Sequence, residues 1–374
     1  PVVHRVLRPA VPGSVVLSEG PEGAWQRRAL LPALSRGAVR ERAPEIAALA
    51  EAAAEALPCG TRFEFAAGAY MTSVAQSVIA RVIDRTGTHL QIDPLRDVLD
   101  SYADTMARIG PLDLLPLPEA LRARLQPRRH RAAAAVRALA EAAVDRRRAA
   151  APGGPPDLLD RLLAARTPEG TPMGRSQVVA NLIFCLIAGF ESTAAALSWA
   201  AWLLAVHPAC QERLRAEALT ATPEAGATGA ELSWTTAVLL ETMRLYPPVP
   251  VLVRQARTGD RLGRRRVQAG DTVFLPVYAL HRQAAHWPEP DRFRPDRFLG
   301  HCPRAGPAQP YLPFAAGPRT CPEAALSLAE MRIILTSLLR RVRLSVPPDA
   351  RPPRPRAILV LKPGGGVRLR AERL

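Results

Sequence analysis

Phe314-Ala315-Ala316-Gly317-Pro318-Arg319-Thr320-Cys321 is the stretch on which the reading of this chain turns. Gly317 permits a tight turn that a side chain would obstruct. Arg319 sets a fixed cation two residues before the cysteine, ready to pair with an anionic group. A helix is expected from about Glu323 to Arg341, and its N-terminal dipole favours an anionic sulfur at Cys321. A loop that aims a thiolate and surrounds it with backbone N–H groups suits a metal ligand. The bland alternative is a buried structural cysteine ahead of a helix.

Working outward, the pattern upstream is mostly helical from about Ser35 to Leu219, with breaks at Pro58-Cys59-Gly60, Gly110-Pro111 and Pro152 to Pro156. A short helix is expected over Asp157–Ala165, and a long one to about Val206 with Ser176 as its N-cap and Pro208 as its stop. Its apolar run, Val178 to Gly189, is broken by Asn181 and is too short to span a bilayer, so it reads as a buried helix. Another helix is expected over Ser233–Leu245. From Val249 to Pro276 short β-branched runs alternate with Gly and Arg, and Arg266–Phe274 reads as a hairpin with Gly270 and Asp271 near its turn. A proline-rich meander fills Pro288–Pro313, and loop and strand follow Pro347. The class is mainly α with small β-sheets, read as one domain over residues 1–374, helix-rich at 20–245 and holding sheet, meander and cysteine loop at 246–374.

Three further motifs precede the cysteine. Glu241-Thr242-Met243-Arg244 puts an acid and a base on one helix face, upstream of Phe293-Arg294-Pro295-Asp296-Arg297-Phe298. Ala188-Gly189-Phe190-Glu191-Ser192-Thr193 sets an acid and an alcohol inside an oily helix, which is expensive without a purpose. The bland account is a polar kink whose hydroxyl bonds the preceding turn. Gly20-Pro21-Glu22-Gly23-Ala24-Trp25-Gln26-Arg27-Arg28 opens the helical region. His281 and Trp287 read as packing residues and not as ligands.

In this order and spacing the four motifs resemble the cytochrome P450 family, bacterial soluble type, over about Gly20 to Leu344. The resemblance implies haem b, with Cys321 as the axial metal ligand and Phe314 and Gly317 shaping the ligand loop. It implies Arg27, Arg254 and Arg319 on the propionates, and Glu241, Arg244 and Arg297 as a structural lock behind that loop. Ala188 and Gly189 would leave room for dioxygen on the distal face, with Glu191, Ser192 and Thr193 as the proton-delivering segment. Serine stands at Ser192 where threonine is commoner, and it keeps the hydroxyl. The implied activity is a haem-dependent monooxygenase that inserts one oxygen atom from O2 into an apolar small molecule. The pocket would draw on Tyr102 to Leu117, Ile187, Phe190 and Val249 to Val253. No flavin or iron–sulfur module is visible, so a ferredoxin or flavodoxin type donor would dock on a basic face near Arg319.

The chain departs from the family pattern in three places. Glu323 stands two residues after the cysteine where glycine is usual; it could crowd the macrocycle, reach the surface, or simply favour the helix start. Gly23 stands where a histidine or tryptophan is usual, with Trp25 nearby. The chain opens at Pro1, and the helix and first strands that begin the family fold are expected to be lacking. These departures favour a second reading, a haem-free or inactive relative that stabilises a partner such as a glycosyltransferase. The retained Cys321, Arg319, Glu191 and Ser192 favour the enzyme.

Composition narrows the rest. The formal charge is +16, and Lys362 is the one lysine among 50 basic residues. The basic surface reads as a solvated face or a docking face for an acidic partner. Aromatics at 5% are not interleaved with the arginine clusters, which argues against nucleic acid. Cys59, Cys185, Cys210, Cys302 and Cys321 are odd in number and lack zinc or redox spacing, which points to a reducing, cytoplasmic setting; the shortness of the apolar runs leads us to expect no membrane anchor in this chain.

Overall fold

A computed structural model describes residues 2–58, 60–90, 97–99, 101–102, 105, 111–115, 117–150, 154–300, 310–357 and 359–374. Cys59, Cys302 and part of the expected pocket segment between Tyr102 and Leu117 lie outside these residues.

The principal helices are α1 (Gly20–Leu30), α2 (Arg36–Glu55), α3 (Ala67–Ile83), α4 (Pro127–Ala149), α5 (Arg175–Val206), α6 (Ser233–Leu245) and α7 (Ala324–Arg341). Helix α5 is apolar almost all round and is therefore buried on nearly every side. It packs along α3 and also meets α4, α6 and α7, while α7 lies on α2. One cluster of buried apolar side chains extends from Val6 to Ala371. The cap lies two residues ahead of the expected Ser176: Gly174, extended at φ −62° and ψ 143°, precedes the first turn, and Ser176 sits exposed within that turn. Among the described residues α5 alone is long and apolar enough to cross a membrane, and its apolar window is 72% buried inside the protein.

Strands β1 (Arg62–Ala66), β6 (Val342–Ser345) and β9 (Arg368–Arg373) form an antiparallel sheet in the order β1-β9-β6. β1 falls inside the stretch expected to be helical. Its five residues find their partner at the far end of the chain, Arg62 opposite Glu372, so no local pattern announces it. The hairpin expected over Arg266–Phe274 is also redrawn. β3 (Asp260–Leu262) pairs with β4 (Arg265–Val267) around Gly263, whereas β5 (Thr272–Leu275) pairs back to β2 (Leu252–Gln255). Gly270, at φ +91°, and Asp271 do turn the chain, but they join two separate ribbons. β7 (Arg354–Ala357) and β8 (Leu361–Gly364) make a last hairpin.

The seam between α6 and the meander is held by charge. The Glu241 carboxylate accepts from Arg244 at 2.7 and 2.8 Å, from Arg297 Nε at 3.2 Å and from the Arg294 amide at 2.9 Å. The Arg244 guanidinium also reaches the carbonyls of His281, Pro290 and Arg292. Glu241 and Arg244 have no exposed surface, so every charge here is answered within the protein. His281 is wholly buried; its Nε2 accepts from the Leu312 amide at 2.8 Å, and Nδ1 faces the Arg244 carbonyl at 3.3 Å.

Glu241→Gln leaves Arg244 buried without its counter-charge and costs about 3–5 kcal/mol in urea unfolding. Burial lowers the His281 pKa from 6.5 to about 4, so the folded state resists a proton that the unfolded chain accepts. Stability is therefore whole above pH 6.5 and declines as pH falls toward about 4. A shift of this size is worth roughly 3 kcal/mol, and His281→Gln flattens that part of the stability profile.

Candidate active site

The cysteine loop closes on itself. The Cys321 amide donates to the Phe314 carbonyl at 2.9 Å, and Thr320 returns its amide and hydroxyl to the Gly317 carbonyl at 3.0 and 2.8 Å. Gly317 at φ +73° supplies the left-handed step, and Ala315 takes a second one at φ +58° despite its methyl group. The half-buried Cys321 thiol is pushed up to about 12, first by burial and then by the Glu323 carboxyl; the Glu323 N–H and Arg27 act in the opposite direction. The expected helix-dipole advantage is thus outweighed, and the free thiol keeps its proton. A metal takes that proton's place outright, so the site remains suited to thiolate ligation.

Helix α5 is buried from Val178 to Ala205 except at Phe184, Ile187, Ala188, Glu191 and Ser192, which are half-buried. Spacings of three and one place these five on a single face, so an accessible stripe crosses an otherwise sealed helix. Ser192 Oγ donates to the Ala188 carbonyl at 3.0 Å, and the Glu191 carboxylate pairs with Lys362 Nζ at 2.5 Å.

Three neighbouring residues of this segment are buried against other elements. Thr193 is turned into the interface with α7, where its hydroxyl donates to Glu330 Oε1 at 2.7 Å and lies 3.0 Å from Ser327 Oγ. At Gly189 a Cβ would stand 2.6 Å from the Ile79 side chain, so the glycine admits α3. Phe190, expected in the pocket, is fully buried in the core.

The arginines divide. Arg27 donates to the Thr320 carbonyl beside the cysteine. Arg319 donates to the carbonyls of Ser18 at 2.8 Å and Val15 at 3.4 Å. Arg254 stays exposed on β2, its guanidinium turned back on the Val253 carbonyl at 2.9 Å. Gly23 has a physical reason, because a Cβ at that position would stand 2.6 Å from the Ser18 carbonyl oxygen that receives Arg319. Trp25 is buried and donates to Glu22 at 2.8 Å. Sequence reasoning missed the tie across this corner. Asn181 accepts from the Val15 amide at 2.8 Å and donates to Gln26 at 2.9 Å, joining α5 to α1 and to the segment before it. Its interruption of the apolar run was the available signal.

Glu323 does not reach the surface; it stands at the N-cap of α7, where its carbonyl accepts from the Ser327 amide at 2.8 Å while its side chain makes no cap hydrogen bond. It is 6% exposed, and its Oε2 lies 3.4 Å from where a Gly189 Cβ would be, at the seam between α7 and α5. Burial raises its pKa to about 8, and Oε1 has no hydrogen-bond partner among the described residues. Gly189 lies one position round the helix from the accessible stripe. The donor set therefore fits a haem: a thiol on a closed loop, guanidinium groups at Arg27 and Arg319 in the adjoining segments, and an accessible apolar stripe on α5.

Comparison with known proteins agrees with this geometry. The Cytochrome P450 family profile matches residues 3–368. Cytochrome P450 137 of Mycobacterium tuberculosis is 31% identical over 365 residues, covering 96% of this chain and 72% of that protein. Cyclooctat-9-en-7-ol 5-monooxygenase of Streptomyces melanosporofaciens is 31% identical over 353 residues, 91% of this chain and 75% of the relative. Among solved structures, a cytochrome P450, CYP102L1, superposes with a TM-score of 0.85 at 23% identity, covering 100% of this chain and 87% of that one. The retinoic acid-bound cyanobacterial CYP120A1 gives 0.86 at 22% identity, with 100% and 83% covered. The chain belongs to the cytochrome P450 family. Its cofactor is haem b, and it is an oxidoreductase of the haem monooxygenase kind.

The two glycines can be told apart by mutation. Gly189→Ala costs about 1–3 kcal/mol in urea unfolding, and Ile79→Val recovers part of that loss by trimming the side chain in the way. Gly23→Ala meets backbone, which cannot be trimmed, so its loss persists in any side-chain background.

Proposed function

We propose that the enzyme oxygenates an apolar small molecule, with Cys321 as the iron ligand and Arg27 and Arg319 on the haem propionates. The observation that carries this reading is the pairing of a closed cysteine loop with an accessible stripe on α5 that bears both an acid and an alcohol. Bound haem supplies the activation of dioxygen and the insertion of oxygen. Around it, Phe184, Ile187 and Ala188 offer apolar surface that orients a substrate and sheds water. Glu191 holds a carboxylate on the same stripe, and Ser192 carries a hydroxyl one residue on; together they take protons from solvent and hand them inward. Glu241, Arg244 and Arg297 brace the meander that leads into the ligand loop.

An apolar substrate is supported by the Streptomyces relative, whose name gives its substrate as cyclooctat-9-en-7-ol, and by the retinoic acid bound to the cyanobacterial protein. Electrons come from a separate ferredoxin or flavodoxin type donor, a reading supported by the +16 charge. A cytoplasmic setting is supported by Cys185, Cys210 and Cys321, all free thiols. Two of the three departures that suggested a haem-free auxiliary protein have a local packing account, since Gly23 gives clearance to the Ser18 carbonyl and Glu323 is turned toward Gly189.

The test is the reduced carbon-monoxide difference spectrum of the haem-loaded protein. A thiolate-type Soret shift is expected, and Cys321→Ala abolishes it. Haem bound without that shift, or a shift that survives Cys321→Ala, overturns the ligand assignment.

A further inference from the structure

The basic residues of this chain are arginine with one exception. Lys362 is the single lysine, and it is ion-paired to Glu191, the acid of the accessible stripe. It occupies the second position of β8, and the backbone on its N-terminal side is clamped. The Leu361 amide donates to the Pro248 carbonyl at 2.9 Å, and the Leu361 carbonyl accepts from the Trp199 indole at 3.1 Å. Trp199 is itself buried in α5 and stacked on Tyr246, with ring centroids 3.8 Å apart and planes 4° from parallel. The α-carbon of Lys362 is thus referenced to the helix that carries Glu191, two turns further along.

Stability does not explain this residue. The Lys362 side chain is 49% exposed, and a pair so open to water contributes little to folding. The Glu191 side chain is only 12% exposed, and a carboxylate so placed needs a facing cation to stay where it is. A compact ammonium on a flexible stem meets one carboxylate oxygen as a point charge, where a guanidinium would grip both in a fork. The Lys362 ammonium meets Glu191 Oε2 at 2.5 Å.

We propose that Lys362 is the positioning residue for Glu191: the C-terminal hairpin, through its one ammonium, sets the direction in which the stripe's carboxylate faces. This rests on the proton-handling part assigned to Glu191 above and extends it to a distant segment of the chain.

The single lysine makes the contact directly observable. In the haem-loaded protein labelled with 15N at lysine Nζ there is one side-chain signal, and Glu191→Gln is expected to move it. The same protein is then supplied with electrons by a surrogate ferredoxin and reductase in air, without added substrate, and hydrogen peroxide released per reductant consumed is recorded. Lys362→Met is expected to slow reductant consumption about tenfold, a modest share of what a positioned proton-transfer group contributes, and to change the peroxide fraction in the same direction as Glu191→Gln. Lys362→Arg restores most of the rate, while thermal stability is alike in all three. An Nζ signal unmoved by Glu191→Gln overturns the proposal, as does a Lys362→Met protein that consumes reductant and releases peroxide like the wild type. If Glu191→Gln itself behaves as wild type while the Nζ signal moves, the contact is real but the role given to Glu191 falls, and this inference falls with it.

Discussion

The charge on Glu241 is the constraint from which the ligand side of the molecule is hung. A wholly buried carboxylate survives only when every lone pair is answered, and here Arg244, Arg297 and the Arg294 amide answer it. Satisfying Arg244 in turn fixes the carbonyls of His281, Pro290 and Arg292. His281 then receives the Leu312 amide, and Tyr311 next to it donates to the Leu240 carbonyl at 2.8 Å. Two residues later the chain enters the loop that ends at Cys321. The position of the sulfur is thus transmitted from the α6 carboxylate through a relay of fully partnered polar groups, with no slack for the loop to wander.

On the other side of the site the constraint is packing. Helix α5 must bury three faces and leave one accessible, and its neighbours decide which. Ile79 from α3 fills the hollow at Gly189, Glu330 from α7 takes the Thr193 hydroxyl, and Asn181 fastens the segment before α1. The residues left over form the stripe. Its chemistry is therefore defined as much by what its neighbours cover as by what it carries.

This division explains what could be read in the sequence. The cysteine loop was legible because its turn, its cation and its sulfur lie within eight residues. The bounds of Ser233–Leu245 were legible for the same local reason, with the prolines at 247 and 248 closing the helix. Glu241 with Arg244 showed as a helical pair, and Arg297 followed from the family resemblance. What could not be read was orientation. Thr193 differs from Ser192 by one step of about 100° around the helix, and only α7 determines that this step leads away from the stripe. Glu323 was legible as a helix-start residue, but that its carboxyl turns into the seam with Gly189 was not. β1 was hidden because its partner lies some three hundred residues away. Gly23 looked like a loss, whereas it is the clearance for a backbone carbonyl.

The accessible stripe also bears on how such a protein changes over generations. Phe184, Ile187 and Ala188 are half-buried at the edge of the core, so exchanging their side chains disturbs the packing less than a change at a sealed position does. Cys185, Gly189 and Thr193, each one residue away from a stripe position, are wedged between neighbours and have little latitude. Variation in what the enzyme accepts and the integrity of its architecture are thus allotted to adjacent but separate positions of one helix. A lineage could try new chemistries at the first set while the second holds the scaffold constant, which makes α5 a natural axis for diversification.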